Sequence, residues 1–305
     1  MSAKAAFVAV VGRPSAGKST LVNQMCGEKV SIVSAVPQTT RNAIRGIVNR
    51  EQGQLVFIDT PGRHKSEKKF NKKLTDISGR AVDDSDIMLY VLDASRLPGP
   101  EEAEIAALLA PAAEKTIAAI NKIDINNDDC GRIYEFLAQA LPGLSKDRCF
   151  RISAKNNTGI DALLTALYDI SPEGEPFYGE EYYTDQEVEF RIAEIIREQA
   201  VNRLRQELPH ALYVEIADAQ FSGEAAPQSE PQHAKLWVRA FIVVERESQK
   251  GMVVGKGGAM IKDIRLAALK ELRSIFDWKI ELDLRVKTGK DWRHNDRILR
   301  RITEG

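Results

Sequence analysis

Residues 12–19 read Gly-Arg-Pro-Ser-Ala-Gly-Lys-Ser, the G-x-x-x-x-G-K-[ST] spacing that can cradle phosphate. Gly12 and Gly17 free the loop through Arg13, Pro14, Ser15 and Ala16 to aim N–H groups inward. Lys18 supplies a point charge, and Ser19, followed by Thr20, offers a hydroxyl to Mg²⁺. Taken alone the pattern also fits a tight turn with an ordinary helix cap. Three further clusters stand beside it. Asp59-Thr60-Pro61-Gly62 pairs a carboxylate, suited to a magnesium hydration shell, with a glycine whose N–H can approach a γ-phosphate. In Asn121-Lys122-Ile123-Asp124, the acceptor-only carboxylate of Asp124 matches the paired N–H donors of a guanine edge and rejects adenine. Asn121 is expected to tie that loop to the phosphate loop, and the Lys122 stem to cover the base. Ser153-Ala154-Lys155 is expected to meet the same base through its backbone.

Each cluster ends a short apolar run: 5–11 before the phosphate loop, then 54–58, 116–120 and 149–152, with 87–92 as a further strand candidate. Helical periodicity follows at 20–26, 101–110, 130–140 and 159–168. Strands alternating with helices around a phosphate loop imply an α/β fold, a doubly wound and mostly parallel sheet. Residues 171–176, Ser-Pro-Glu-Gly-Glu-Pro, break both periodicities, and 178–185 is acidic and aromatic, which reads as a linker.

Beyond it the pattern changes. Residues 187–207 form an amphipathic helix, 212–216 and 236–244 two strands, and 222–232 a Gly/Pro/Ser/Gln-rich hairpin loop. The tetrad Gly255-Lys256-Gly257-Gly258 precedes a helix over 259–276 and a strand over 280–286. Helix–strand–strand–helix–GxxG–helix–strand is the order of a type II KH domain, an α+β RNA-binding module. Its glycines admit an RNA backbone, and the following helix start can bind phosphate. Lys256 lies in the tetrad, and Lys250, Lys262 and Arg265 flank it where cations would track a single strand. Trp237 and Trp278 read as core residues of this module and Trp292, past the last strand, as an exposed one.

The chain has 305 residues, enough for two cores, and a net charge of −1 that is unevenly spread. Residues 1–179 are neutral, 180–232 carry −8 and 233–305 carry +7, so an anionic partner is expected at the carboxyl-terminal end. Cys26, Cys130 and Cys149 have no redox or metal-ligand spacing and fit a reducing cytosol, and the four histidines show no ligand spacing. No apolar stretch approaches the roughly 20 residues of a transmembrane helix.

The first-half motifs resemble the G1, G3, G4 and G5 elements of translation-factor-related GTPases, with Pro37-Gln38-Thr39-Thr40-Arg41 as G2. With the KH-like half they resemble the Era family of GTPases over nearly the whole chain. Tyr182-Tyr183-Thr184-Asp185-Gln186, Glu194-Ile195-Ile196-Arg197-Glu198 and residues 244–250 add to the likeness. The resemblance implies a G domain over 1–172, a linker over 173–186, and a KH domain over 187–305 with a C-terminal helix. It implies GTP and GDP as ligands, Mg²⁺ held by Ser19, Thr40 and Asp59, and Lys18, Thr40 and Gly62 at the reacting phosphate. It further implies a cytoplasmic monomer that binds the 3′ end of 16S rRNA on the 30S subunit and touches the inner membrane peripherally. Many small GTPases place a water-orienting Gln after this glycine; here Arg63 and His64 follow Gly62, so slow hydrolysis is expected. Arg63 reads either as a transition-state cation or as a solvated loop residue. The rival to a cycling switch is an RNA-binding adaptor whose GTP never turns over.

Overall fold

The apolar runs become parallel strands because they are buried on both faces. In β4 (Ile87–Asp93) and β5 (Thr116–Asn121) every residue is buried, the burial that parallel sheets require. This computed structural model describes residues 3–34, 36, 39–61, 81–125, 130–222, 235–290, 292–295 and 298–299. The chain divides into two compact units, one reaching Asp185 and the other beginning at Gln186.

The first unit holds a six-stranded sheet in the order β2-β3-β1-β4-β5-β6, with β1 (Lys4–Val11), β2 (Ile44–Arg50), β3 (Gly53–Asp59) and β6 (Cys149–Arg151). All pairs are parallel except β2 with β3. The edge strand β2 has no counterpart among the runs read from sequence, since Arg45, Asn49 and Arg50 face solvent and blur its periodicity. Helices α1 (Lys18–Cys26), α2 (Pro100–Leu109), α3 (Gly131–Ala140) and α4 (Ile160–Ile170) connect the strands and cover the sheet. The order reverses beside β1, so the loops leaving β1 and β4 diverge and open a crevice at the strands' carboxyl ends. Register brings the chemistry there: Val10 pairs with Asp59, and Asp93 with Asn121.

Of the linker read from sequence over 173–186, residues 173–185 belong to this first unit. Ile47 N–H donates to Tyr183 O at 2.9 Å and Thr184 Oγ1 to Arg45 O at 2.8 Å, both on β2. Gln54, wholly buried, accepts from Phe177 and Tyr178 N–H through Oε1 and donates to Tyr178 O through Nε2. With a further Nε2 bond to Asn49 Oδ1 the buried amide is saturated, a specific anchor because its alternatives leave polar groups unsatisfied.

The second unit is a three-stranded sheet, β7 (Leu212–Ser222), β8 (Lys235–Val244) and β9 (Lys279–Thr288), antiparallel then parallel. Helices α5 (Val188–Arg203) and α7 (Ala259–Ile275) bury Ile192, Ile196, Ile264, Ala268 and Leu272 against one sheet face. The short α6 (Glu247–Val254) runs into the glycine tetrad. The element order is that of the type II KH arrangement. Two expectations fail: Trp237 is half-buried outside the core cluster, with the Arg239 guanidinium 5.0 Å from its ring, and Trp292 is fully buried, donating Nε1–H to Ala211 O at 3.3 Å with its ring 5.0 Å from Tyr213. An indole with a buried carbonyl partner gains more inside than at the surface. The expected hairpin loop, past Ser222, and most of the expected C-terminal helix lie outside the described residues.

Candidate functional site: a phosphate cradle and a GxxG turn

Gly17 has φ 95°, a left-handed conformation, and ends the loop as the cap of α1. A Cβ there would sit 2.4 Å from Asn121 Nδ2, so glycine meets both the backbone and the packing demand. The first N–H groups of α1 open into the crevice with the positive end of the helix dipole. Lys18 is buried and donates from Nζ to Gly12 O at 2.9 Å and Arg13 O at 3.1 Å. Burial pulls its pKa down to about 8, against the opposing charge of Asp59.

Asp59 is fully buried, and neither carboxylate oxygen has a hydrogen-bond partner among the described residues. Ser19, Ser31 and Thr40 hydroxyls stand near enough to lower its pKa, but burial dominates and holds the carboxyl above its ordinary range. Ser19 Oγ and Thr40 Oγ1 are 3.0 Å apart. An unpartnered buried carboxylate beside two hydroxyls is a hard-oxygen donor set, and it fits Mg²⁺ with its retained waters. Thr60 faces the other way, donating to Val10 O at 2.8 Å, and Pro61 is buried beside it. Pro37, Gln38, Gly62, Arg63 and His64 lie outside the described residues.

At the far side of the crevice Asn121 joins two loops. Its Nδ2 donates to Ala16 O and its Oδ1 accepts from Ala154 N–H, each at 2.9 Å. Lys122 has φ 70° and stretches its ammonium to Ser15 O at 2.7 Å. Ser153 Oγ donates to Asp124 Oδ1 at 2.6 Å, which fixes one oxygen and leaves the exposed carboxylate's other edge available. Ile123 N–H bonds Ile152 O at 3.3 Å, drawing the two loops together, while Lys155 points outward. Residues 12–20, 40, 59–61, 121–124 and 153–155 thus converge at one end of one sheet. Asp93 belongs to the same cluster and was absent from the sequence-derived set. Its signal was an acidic residue ending an apolar run, as Asp59 does.

In the second unit Gly255 (φ 72°) turns the chain out of α6; a Cβ there would meet Met260 Cβ at 2.7 Å. Gly257 and Gly258 also have positive φ and open space about them. Lys256 and Lys262 are exposed beside this turn. Lys250 pairs with Glu247 at 3.0 Å, and Arg265 lies half-buried with Nη1 3.4 Å from Leu282 O.

A phosphate-loop turn capping α1, a carboxylate-tipped β3 and the Asn121–Asp124 loop on a doubly wound sheet, followed by a GxxG-bearing module, define a P-loop GTPase carrying a KH domain. Residues 7–122 match the family described as 50S ribosome-binding GTPase, and residues 207–293 the KH domain family. The GTPase Era of Treponema denticola is 50% identical over 97% of this chain and 98% of its own length. That of Borreliella burgdorferi is 41% identical over 98% and 99%. A crystal structure of Era in complex with MgGDPNP and nucleotides 1506–1542 of 16S ribosomal RNA superimposes with a TM-score of 0.89. It is 31% identical and covers 98% of both chains. The chain belongs to the Era family of GTPases.

Proposed function

We propose that this GTPase is a magnesium-dependent switch that grips the 3′ end of 16S rRNA through its KH unit and times a maturation step of the 30S subunit. It works as a cytoplasmic monomer, and any contact with the inner membrane is peripheral. The observation that carries the nucleotide half is the buried, unpartnered Asp59 beside Ser19 and Thr40, at the mouth of the loop that holds Lys18. The RNA half is supported by the relative whose complex contains MgGDPNP and 16S nucleotides 1506–1542.

On this reading residues 12–20 and Lys18 bind the phosphates, and Ser19, Thr40 and Asp59 hold Mg²⁺. The ion, when bound, neutralises charge developing on the phosphate oxygens. Gly62 and Thr40 close on the γ-phosphate, and hydrolysis releases them. Asp124 accepts from the guanine edge, Lys122 covers the ring, and residues 153–155 support the base. Gly255–Gly258 with Lys250, Lys256, Lys262 and Arg265 take the RNA backbone. The working division of the chain is a G domain over 1–172, a junction over 173–186 that is hydrogen-bonded to β2 and β3, and a KH domain over 187–305. Nucleotide and RNA affinities are coupled, and by linkage the coupling is reciprocal.

Multiple-turnover phosphate release, with and without RNA ending in the 16S 3′ sequence, tests the reading. Slow turnover that depends on Mg²⁺ supports a cycling switch, whereas no turnover in either condition leaves a non-cycling adaptor. RNA affinity that is equal with GDP and with a non-hydrolysable GTP analogue would refute the coupling.

A further inference from the structure

Asp93 ends β4 in register with Asn121 and is 4% exposed. Its Oδ2 accepts from Lys122 Nζ at 2.7 Å and from Arg13 Nη2 at 2.9 Å. Its Oδ1 accepts from Ser95 N–H at 2.9 Å and Ser95 Oγ at 2.6 Å. Arg13 is held from a second side by Glu102, Nε to Oε1 2.9 Å. The next residue, Ala94, donates its N–H to Asn121 O at 2.8 Å. One carboxylate therefore joins the base-reading loop, the phosphate loop and the end of β4.

We propose that Asp93 is a positioning residue for guanine-nucleotide binding, fixing Lys122 in the extended pose that spans the base site and holding Arg13 against the crevice wall. This rests on the nucleotide-site reading above. A lysine stem has four rotatable carbons and loses much rotamer freedom when it must lie across a ring. Anchoring the ammonium between Ser15 O and Asp93 Oδ2 removes that ordering cost from the binding step. The anchor also stays charged: burial raises the Asp93 pKa, but the bonds from Lys122 and Ser95 outweigh it and bring it below the ordinary value. Without that charge Lys122 and Arg13 face each other as two cations in a poorly solvated crevice. The Asp93 carboxylate is taken up by Lys122, Arg13 and Ser95 rather than by base or phosphate. It acts through the two side chains it holds.

Asp93→Asn keeps the shape and the acceptor for Ser95 while removing the charge. Dissociation constants for GDP and GTP should rise by one common factor, about 10- to 100-fold. KM should follow them, while kcat falls less than about threefold. In a Lys122→Met background, adding Asp93→Asn should weaken GDP binding by less than about threefold, because no lysine is left to position and Glu102 still holds Arg13. Equal losses in the two backgrounds, or unchanged GDP affinity in Asp93→Asn alone, would overturn the proposal. Where Asp93→Asn alone does not fold, Arg13→Gln/Asp93→Asn is compared with Arg13→Gln. A further loss of about tenfold supports the role and equal affinity overturns it. Wild-type protein that binds no guanine nucleotide would instead sink the nucleotide-site reading itself.

Discussion

Ser19 Oγ lies 3.0 Å from Thr40 Oγ1, although 21 positions separate them in the chain. The first sits at the start of α1 and the second precedes β2, so their meeting beside Asp59 depends on the sheet that carries both. With Asp59 they form the donor set argued above for Mg²⁺. Chelating magnesium should weaken GTP binding by about tenfold or more, ~1.4 kcal/mol. In Ser19→Ala the same chelation should change affinity less than about threefold. Fluorescent-nucleotide titration with and without EDTA checks this, and an undiminished magnesium response in Ser19→Ala would remove the residue from the set.

Asp124 is held by Ser153 through one oxygen only. Replacing its carboxylate by an amide turns one acceptor into a donor, which suits xanthine better than guanine. Asp124→Asn should lose guanine affinity by on the order of 100-fold or more and gain affinity for xanthosine nucleotides. Competition among GDP, XDP and ADP decides it; retained guanine selectivity would mean another residue reads the base.

Gly257 has φ 59° with nothing within 4 Å of a built Cβ, so a side chain fits there without collision. Aspartate tolerates the left-handed region better than most residues. Gly257→Asp should therefore fold, abolish RNA binding by placing negative charge at the phosphate approach, and leave GTP affinity within about threefold, under 1 kcal/mol. Gel-shift and nucleotide titrations on the same preparation separate the two effects. Intact RNA binding would move the RNA site away from the tetrad.

Gln54 is the buried partner of Phe177, Tyr178 and Asn49. Gln54→Leu fills similar volume but strands the backbone groups it served, a loss of about 2–4 kcal/mol from the first unit. Urea denaturation reports the stability, and limited proteolysis should show new cleavage within residues 172–185. Wild-type resistance there would show that the segment is held by its other contacts.

Asp93 supplies a pH signature. Its folded pKa is depressed by Lys122 and Ser95 despite burial, so its contribution is complete above the unfolded value near 3.8 and disappears as pH falls through the folded value. The stability gap between wild type and Asp93→Asn should be constant from about pH 5 to 8 and shrink below about pH 3.8. Urea midpoints at pH 7, 5 and 3 test it, and a gap that widens on acidification would reverse the sign assigned to this carboxylate.

Much of this molecule was legible in one dimension. Strands β1, β3, β4 and β5 are buried on both faces, so they read as unbroken apolar runs, and the loops that follow them carry short, stereochemically constrained motifs such as the one around Gly17. The guanine-reading role assigned to Asp124 and the GxxG context likewise follow from local residue types and order. Edge strand β2 escaped because half of its side chains meet solvent, and residues 173–185 read as a linker because a segment held by backbone bonds to Gln54 and β2 leaves no periodic trace. Trp292 reads as exposed for a related reason, since its partner Ala211 lies 81 positions away. Residue types and their order set the class of chemistry. Which atoms meet was settled by strand order and register: these aligned Asp93 with Asn121, set Asp59 beside the phosphate loop, and brought one carboxylate between Lys122 and Arg13. Non-local pairing of this kind leaves no mark on neighbouring residues, because its energy comes from contacts that exist only once the sheet has closed.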